Sequence, residues 1–178
     1  MTSTLPSREK SQELLSEYIK NEALQEHCRL VAKVMEAYAA KFGEDSELWY
    51  QTGLLHDLDW EMYPDEHPNV AVNDLLSDYP EELLQAVKAH ATFRTGFHPS
   101  SRLDKYLFAC DELVGFLHAY SLMRPDGFAG MKAGKVKKKL KDKSFAANVS
   151  REDIEKGFKL IEQDPAQHIS FLVEVLTN

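Results

Sequence analysis

Thr52-Gly53-Leu54-Leu55-His56-Asp57-Leu58-Asp59 sets a histidine and an aspartate directly behind an apolar run. Such a run predicts a buried helix, and an aspartate is rarely buried unless it is paired or coordinated. His56 and Asp57 therefore require polar partners from other parts of the chain.

The flanking sequence is helical nearly everywhere. Upstream, Leu14, Leu15, Tyr18 and Ile19 form one apolar stripe. Leu24, Leu30, Val31, Val34, Met35 and Tyr38 continue at three- and four-residue steps until Phe42-Gly43, a helix stop. Leu48 to about His56 reads as a shorter helix capped by Asp45 or Ser46. Downstream, Pro68–Leu76 and Pro80 to about Ala91 each open on a proline, which suits a first helical turn. Leu103, Tyr106, Leu107, Cys110, Leu113, Val114 and Leu117 mark a long buried helix from near Ser101 to before Arg124-Pro125. Ser150 caps a helix through Leu160, and Asp164-Pro165-Ala166-Gln167 reads as a capping box for the last helix. No stretch alternates with period two. The expected fold is an all-α bundle of about eight helices.

Composition narrows the function classes. The chain has 178 residues, 43% hydrophobic and 28% charged, which is ordinary for a globular domain and excludes disorder. The net charge of −8 argues against a general nucleic-acid binder. No apolar run approaches the roughly 20 residues that span a bilayer, so no membrane partner is expected. Two cysteines, Cys28 and Cys110, form no CxxC pair and read as small core residues. A cytoplasmic, reduced setting is the expectation, and a homo-oligomer is compatible with it.

Other metal-competent residues sit in apolar helices. His27 lies mid-helix, His90 falls in Ala86-Val87-Lys88-Ala89-His90-Ala91, and Asp111 follows Ala109-Cys110 in the most apolar helix. Glu112, next to it, can take the solvent side. Burying these groups unpaired would cost several kcal/mol each, by order of magnitude. A divalent cation would offset that cost, and mixed nitrogen and oxygen ligands suit Mn, Fe, Co, Ni or Zn.

The series His27, His56-Asp57, Asp111 resembles the H…HD…D signature of the HD superfamily of metal-dependent phosphohydrolases. The histidine lies 29 residues before the dyad and the aspartate 54 after it. The words Leu24–Val31, Thr52–Asp59 and Ala109–Leu113 look like those of the family, and His67-Pro68 and His90 resemble positions of its binuclear members. The resemblance implies that His27, His56, Asp57 and Asp111 hold one metal, and that His67 and His90 hold a second with Asp57 bridging. It implies a single HD domain over 1–178, with a core over about 14–123 and a basic segment and C-terminal helices over 124–178 packed on it. Arg124-Pro125 and the run Lys135–Ala146 are similar to those of a small subgroup of HD hydrolases without an assigned reaction. Many HD enzymes carry Lys or Glu three residues after the dyad aspartate. Here that residue is Trp60, and Asp59 or Glu61 beside it could supply the acid.

The implied activity is hydrolysis of a phosphate ester, a nucleotide or another small phosphometabolite, by metal-activated water, with Asp57 orienting the water or receiving its proton. Two other classes share the signature: a mixed-valence di-iron oxygenase and a non-catalytic nucleotide-sensing domain. From Lys132 to Lys143 there are seven lysines against one acid, Asp142. Lys135, Lys139 and Lys143 share a face if the segment is helical, and Lys139 and Lys143 with Arg124 could draw in an anionic substrate. The plainer alternative is a solvated helix anchored by Val136 and Leu140. His118 reads as a core or rim residue, Gly115 as a point of close helix packing, and Arg94 and Arg102 bracket a loop that could cover the site.

Overall fold

A computed structural model describes residues 4–178. Among the described residues there are nine α-helices and a π-helical turn, with no strand. The helices are α1 (Arg8–Tyr18), α2 (Glu22–Phe42), α3 (Ser46–Leu55), α4 (Glu81–His90), α5 (Thr92–Thr95), α6 (Arg102–Leu122), α7 (Ala133–Leu140), α8 (Arg151–Leu160) and α9 (Pro165–Thr177). The fold is therefore an all-helical bundle, as the periodicity requires.

Local chemistry sets most of the boundaries. The side chains of Asn21, Asp45, Ser101, Ser150 and Asp164 accept backbone N–H groups in the first turns of α2, α3, α6, α8 and α9. Ser101 and Asp104 form a reciprocal capping box. Gly43 ends α2 at φ 70°, where a side chain would be strained.

The segment after Pro68 departs from expectation. The helix expected over Pro68–Leu76 begins with the Val72 N–H on the Pro68 carbonyl at 3.1 Å but widens into the π-helical turn Ala71–Leu75, closed by the Leu76 N–H on the Ala71 carbonyl at 2.8 Å. The Ala71 N–H is taken by the Asp59 carboxylate, also at 2.8 Å, so a distant side chain shapes the turn.

Two glycines let helices approach closely. A Cβ on Gly53 would lie 2.8 Å from the Ala32 Cα, and one on Gly157 would lie 2.8 Å from the Ala109 Cα. Gly115, expected in this role, does not play it: a Cβ there would meet only the His27 ring, at 3.8 Å. Helix α6 packs against α2, α4 and α8. One apolar cluster gathers residues of α2, α6, α8 and α9, including Val31, Met35, Leu107, Leu113, Ile154 and Ile169. A second joins α1, α3, α4 and the π-turn through Leu15, Ile19, Leu54, Leu58, Val72 and Leu83. Cys28 and Cys110 are fully buried, and burial pushes the Cys28 thiol up to about 12, so both stay protonated core side chains.

Candidate metal centre

Four helices deliver polar side chains to one interior point: His27 from α2, the His56-Asp57 pair from the end of α3, His90 from the end of α4 and Asp111 from the middle of α6. His67 joins them from the turn that follows α3. Each of these residues offers one ligand atom, in two overlapping groups. In the first, one atom each from His27, His56, Asp57 and Asp111 all lie within 4.8 Å of one another, and in the second, one each from Asp57, His67 and His90 do.

Asp57 belongs to both because its two oxygens diverge. Oδ2 faces His56 Nε2 at 3.3 Å and His27 Nε2 at 3.7 Å. Oδ1 faces His67 Nε2 at 3.5 Å and His90 Nε2 at 3.6 Å. Asp111 Oδ1 completes the first group, 3.0 Å from His27 Nε2 and 3.3 Å from His56 Nε2.

The orientation of the rings has a local cause. His56 and His90 stand at the C-terminal ends of α3 and α4, where helix carbonyls lack intrahelical donors. His56 Nδ1 donates to the Gly53 carbonyl at 2.8 Å and His90 Nδ1 to the Val87 carbonyl at 2.5 Å. His67 Nδ1 donates to Asp59 Oδ1 at 2.6 Å. A carbonyl only accepts, so Nδ1 carries a hydrogen in His56 and His90, and Nε2 is the nitrogen left to face the cluster and take a cation or a proton. This is the arrangement by which outer acceptors hold metal-ligating imidazoles.

The donor set fits a cation. His67 Nε2 and His90 Nε2 are 3.1 Å apart beside a carboxylate, so two neutral rings that each donate through Nδ1 would set lone pair against lone pair. A positive charge between them turns that repulsion into attraction. Burial works against the ionised form of Asp57, but His56, His67 and His90 outweigh it and hold the carboxyl well below its ordinary range. Burial likewise opposes protonation of His56, yet Asp57 and Asp111 raise its affinity for a proton well above normal. The cluster thus attracts positive charge strongly, and this buried His and Asp group could hold a metal ion. Its opening lies at His27, Asp57 and Asp111, whose side chains are 17%, 15% and 18% exposed, whereas His56 is fully buried.

Residues 24–114, the stretch that carries every one of these side chains, match the HD domain family. The chain belongs to that family. No curated protein and no solved structure matches the chain. The HD domain places the protein in a superfamily of metal-dependent hydrolases of the phosphohydrolase type. Among the described residues no helix is long and apolar enough to cross a membrane.

Residues around the HD dyad behave differently from expectation. Asp59 is fully buried and carries no free acid function, because its oxygens accept from His67 Nδ1 and the Ala71 N–H. Glu61 is also committed, accepting the backbone N–H groups of Lys20 and Asn21 at 2.9 Å ahead of α2. Asp59 as an orienting acceptor was not legible beforehand, although a second aspartate in the apolar word Leu58-Asp59 was a signal of it. Glu112 does not face solvent. It is half-buried and accepts the Ser150 N–H at 2.9 Å at the start of α8, and burial followed by the charge of Asp111 raises its carboxyl to about 7.

Arg124 and Lys139 have partners of their own. Arg124 lies beyond the end of α6, whose last residue is about 16 Å along the axis from Asp111, and it donates to the Ala129 carbonyl at 2.9 Å. Lys139 pairs with Asp142 at 2.8 Å and lies 4.4 Å over the Phe145 ring. Phe145 in turn packs on Phe116, which is about 140° around α6 from Asp111. Helix α7 ends at Leu140, so Lys143 is outside it and shares no helix face with Lys139. Val136 is buried and Leu140 packs against the core, as in a solvated helix anchored by its apolar side. His118 stacks near Phe128, at 6.5 Å between ring centroids, outside the two groups.

Proposed function

We propose that the protein hydrolyses a small phosphate ester, a nucleotide or another phosphometabolite. The observation that carries this reading is the divergence of the Asp57 oxygens toward two sets of imidazoles. In this reading His27, His56 and Asp111 hold one divalent ion of Mn, Fe, Co, Ni or Zn, His67 and His90 hold a second, and Asp57 lies between. Ions there supply Lewis acidity toward a phosphoryl oxygen and lower the pKa of water.

The chain's own groups do the rest. Asp57 is held ionised, so it accepts a hydrogen bond from the attacking water and orients it. Asp59, Gly53 and Val87 fix the rings so that no ligand must reorient during turnover. The partly exposed edge at His27, Asp57 and Asp111 is the side from which an ester would enter.

The test is a screen of phosphorylated metabolites with metal-reconstituted protein. Metal-dependent release of inorganic phosphate, abolished by a chelator and by His56→Ala, is the expected result. The same six donors also satisfy a di-iron oxygenase. Two irons per chain with oxygen-dependent turnover and no phosphate release would replace the hydrolase reading by that one. Tight nucleotide binding without turnover would replace it by a sensing domain.

A further inference from the structure

The imidazoles of the centre are not held alike. His56, His90 and His67 each have a protein acceptor for Nδ1, in Gly53, Val87 and Asp59. His27 has none. Its Nε2 lies 3.0 Å from Asp111 Oδ1, but among the described residues no group hydrogen-bonds to its Nδ1. Nor is that nitrogen enclosed, since among the described residues Arg94 Nε is the only buried side-chain nitrogen or oxygen without a partner. His27 Nδ1 therefore opens to solvent, on the edge where the cluster itself is partly exposed.

Gly115 keeps the space beside that nitrogen clear. It stands four residues after Asp111 on α6, on the same face of the helix. A Cβ there would meet His27 Cε1 and Nδ1, each at 3.8 Å, and no other residue packed against α6 within 4 Å. Cε1 is the ring carbon between the two nitrogens. The gap over Gly115 thus follows the ring edge that leads from Nε2, on the cluster side, to Nδ1, on the solvent side. Glycine is a poor helix former, and here close helix packing does not call for it. What it supplies is room.

The chemistry of the edge sets what fits there. A neutral ring that gives Nε2 to a cation carries its hydrogen on Nδ1, so His27 presents an unused N–H donor. Among the described residues Asp57 and Asp111 pair with histidines only, and no lysine or arginine joins them. A neutral oxygen suits such an edge better than a second anion.

We propose that His27 Nδ1 is a specificity-determining donor. A substrate lies over Gly115 along the Cε1 edge of His27 and accepts the Nδ1 hydrogen with an oxygen of its alcohol part. Nδ1 is across the ring from the cluster, so this oxygen does not belong to the phosphoryl group. The substrate class is then a phosphate monoester of a hydroxylated alcohol, as sugar phosphates and nucleotides are. The phosphoryl half of that statement rests on the phosphohydrolase reading, whereas the donor and the gap do not.

Calorimetry on metal-loaded protein compares propylphosphonate with dihydroxypropylphosphonate, neither of which can be hydrolysed. The wild type should bind the dihydroxy compound about tenfold more tightly. His27→Nδ-methylhistidine keeps Nε2 but has no hydrogen on Nδ1, and should lose that preference with metal content unchanged. Gly115→Leu sends a side chain into the gap and should lose it as well, again with metal content unchanged. Equal binding of the two phosphonates by the wild type, binding of neither, or a preference retained in either variant would each overturn the proposal. If His27→Nδ-methylhistidine takes up no metal, Gly115→Leu decides alone by the same criterion. A wild-type preference among phosphonates that both variants lose, with no hydrolysis of glycerol phosphate or other esters, leaves the donor standing and removes the hydrolase reading. Hydrolysis of glycerol phosphate and propyl phosphate with equal kcat/KM, and no preference among the phosphonates, does the reverse.

Discussion

Asp59 Oδ1 accepts the Nδ1 hydrogen of His67 at 2.6 Å, while its other oxygen takes the Ala71 N–H at 2.8 Å. One buried carboxylate thus orients a proposed ligand and shapes the backbone beyond it. Asp59→Asn cannot satisfy both donors, since one of its two polar atoms becomes a donor itself. The ion at His67 and His90 should bind about tenfold to a hundredfold more weakly, with the ion at His27, His56 and Asp111 little changed. A metal titration that still shows two tight ions in Asp59→Asn would remove Asp59 from this role.

The shared position of Asp57 makes the ligand variants unequal. Asp57→Ala should lose both ions and His56→Ala the ion of its own group, each with loss of any phosphatase activity while the far-ultraviolet circular dichroism stays helical. His90→Ala should keep one ion, because His27, His56, Asp57 and Asp111 remain. Elemental analysis of the three purified variants checks this; equal loss in all three would mean that the groups do not bind separately.

Gly53 and Gly115 both adjoin the centre but differ in the room around them. A Cβ on Gly53 meets the backbone of Ala32 at 2.8 Å, which neither helix can relieve without moving. Gly53→Ala should cost about 1–3 kcal/mol and weaken metal binding, since His56 donates to the carbonyl of that same residue. A Cβ on Gly115 makes only ordinary contact with His27, at 3.8 Å. Gly115→Ala should be neutral or more stable by up to about 1 kcal/mol, from helix propensity. Thermal unfolding of the two variants gives the comparison.

His168 couples stability to pH. Fully buried, its Nε2 donates to the Ala109 carbonyl at 3.1 Å and its Nδ1 accepts from the Tyr38 hydroxyl at 2.5 Å. Burial, with a smaller opposing effect of the Ala109 bond and repulsion from Lys41, lowers its pKa from 6.5 to about 4. The folded state therefore excludes a proton that the unfolded chain takes up. The contribution is complete above the unfolded value and is lost as pH falls from there toward the folded value, by about 3 kcal/mol at most. In urea unfolding, His168→Gln should be less stable at neutral pH and lose stability less steeply on acidification. The difference between the two slopes isolates this residue, and parallel slopes would contradict the assignment.

Helices α2, α3 and α6 were legible because apolar side chains recur with the helical period and because Asn, Asp, Ser and Gly stand where caps and stops are needed. The π-turn after Pro68 was not, since it depends on Asp59 reaching Ala71 across twelve residues. The same holds for the lysine segment: periodicity put Lys135, Lys139 and Lys143 on one face, but α7 stops at Leu140 and Asp142 takes Lys139. His168, in α9, is a buried link between α2 and α6, made by contacts that the periodicity of its own helix does not reveal.

By itself the sequence determined a helical bundle and the set of imidazoles and carboxylates that could meet inside it, because helix periodicity and burial cost act within a few turns of chain. Only the tertiary structure decided that the two oxygens of Asp57 face different histidines, and that Asp59 orients a ring rather than supplying a proton. Those facts turn on directions of lone pairs and N–H groups over 2.5 to 3.7 Å. Hydrogen bonding at that range depends on which residues distant in sequence become neighbours in space, and sequence spacing does not encode it.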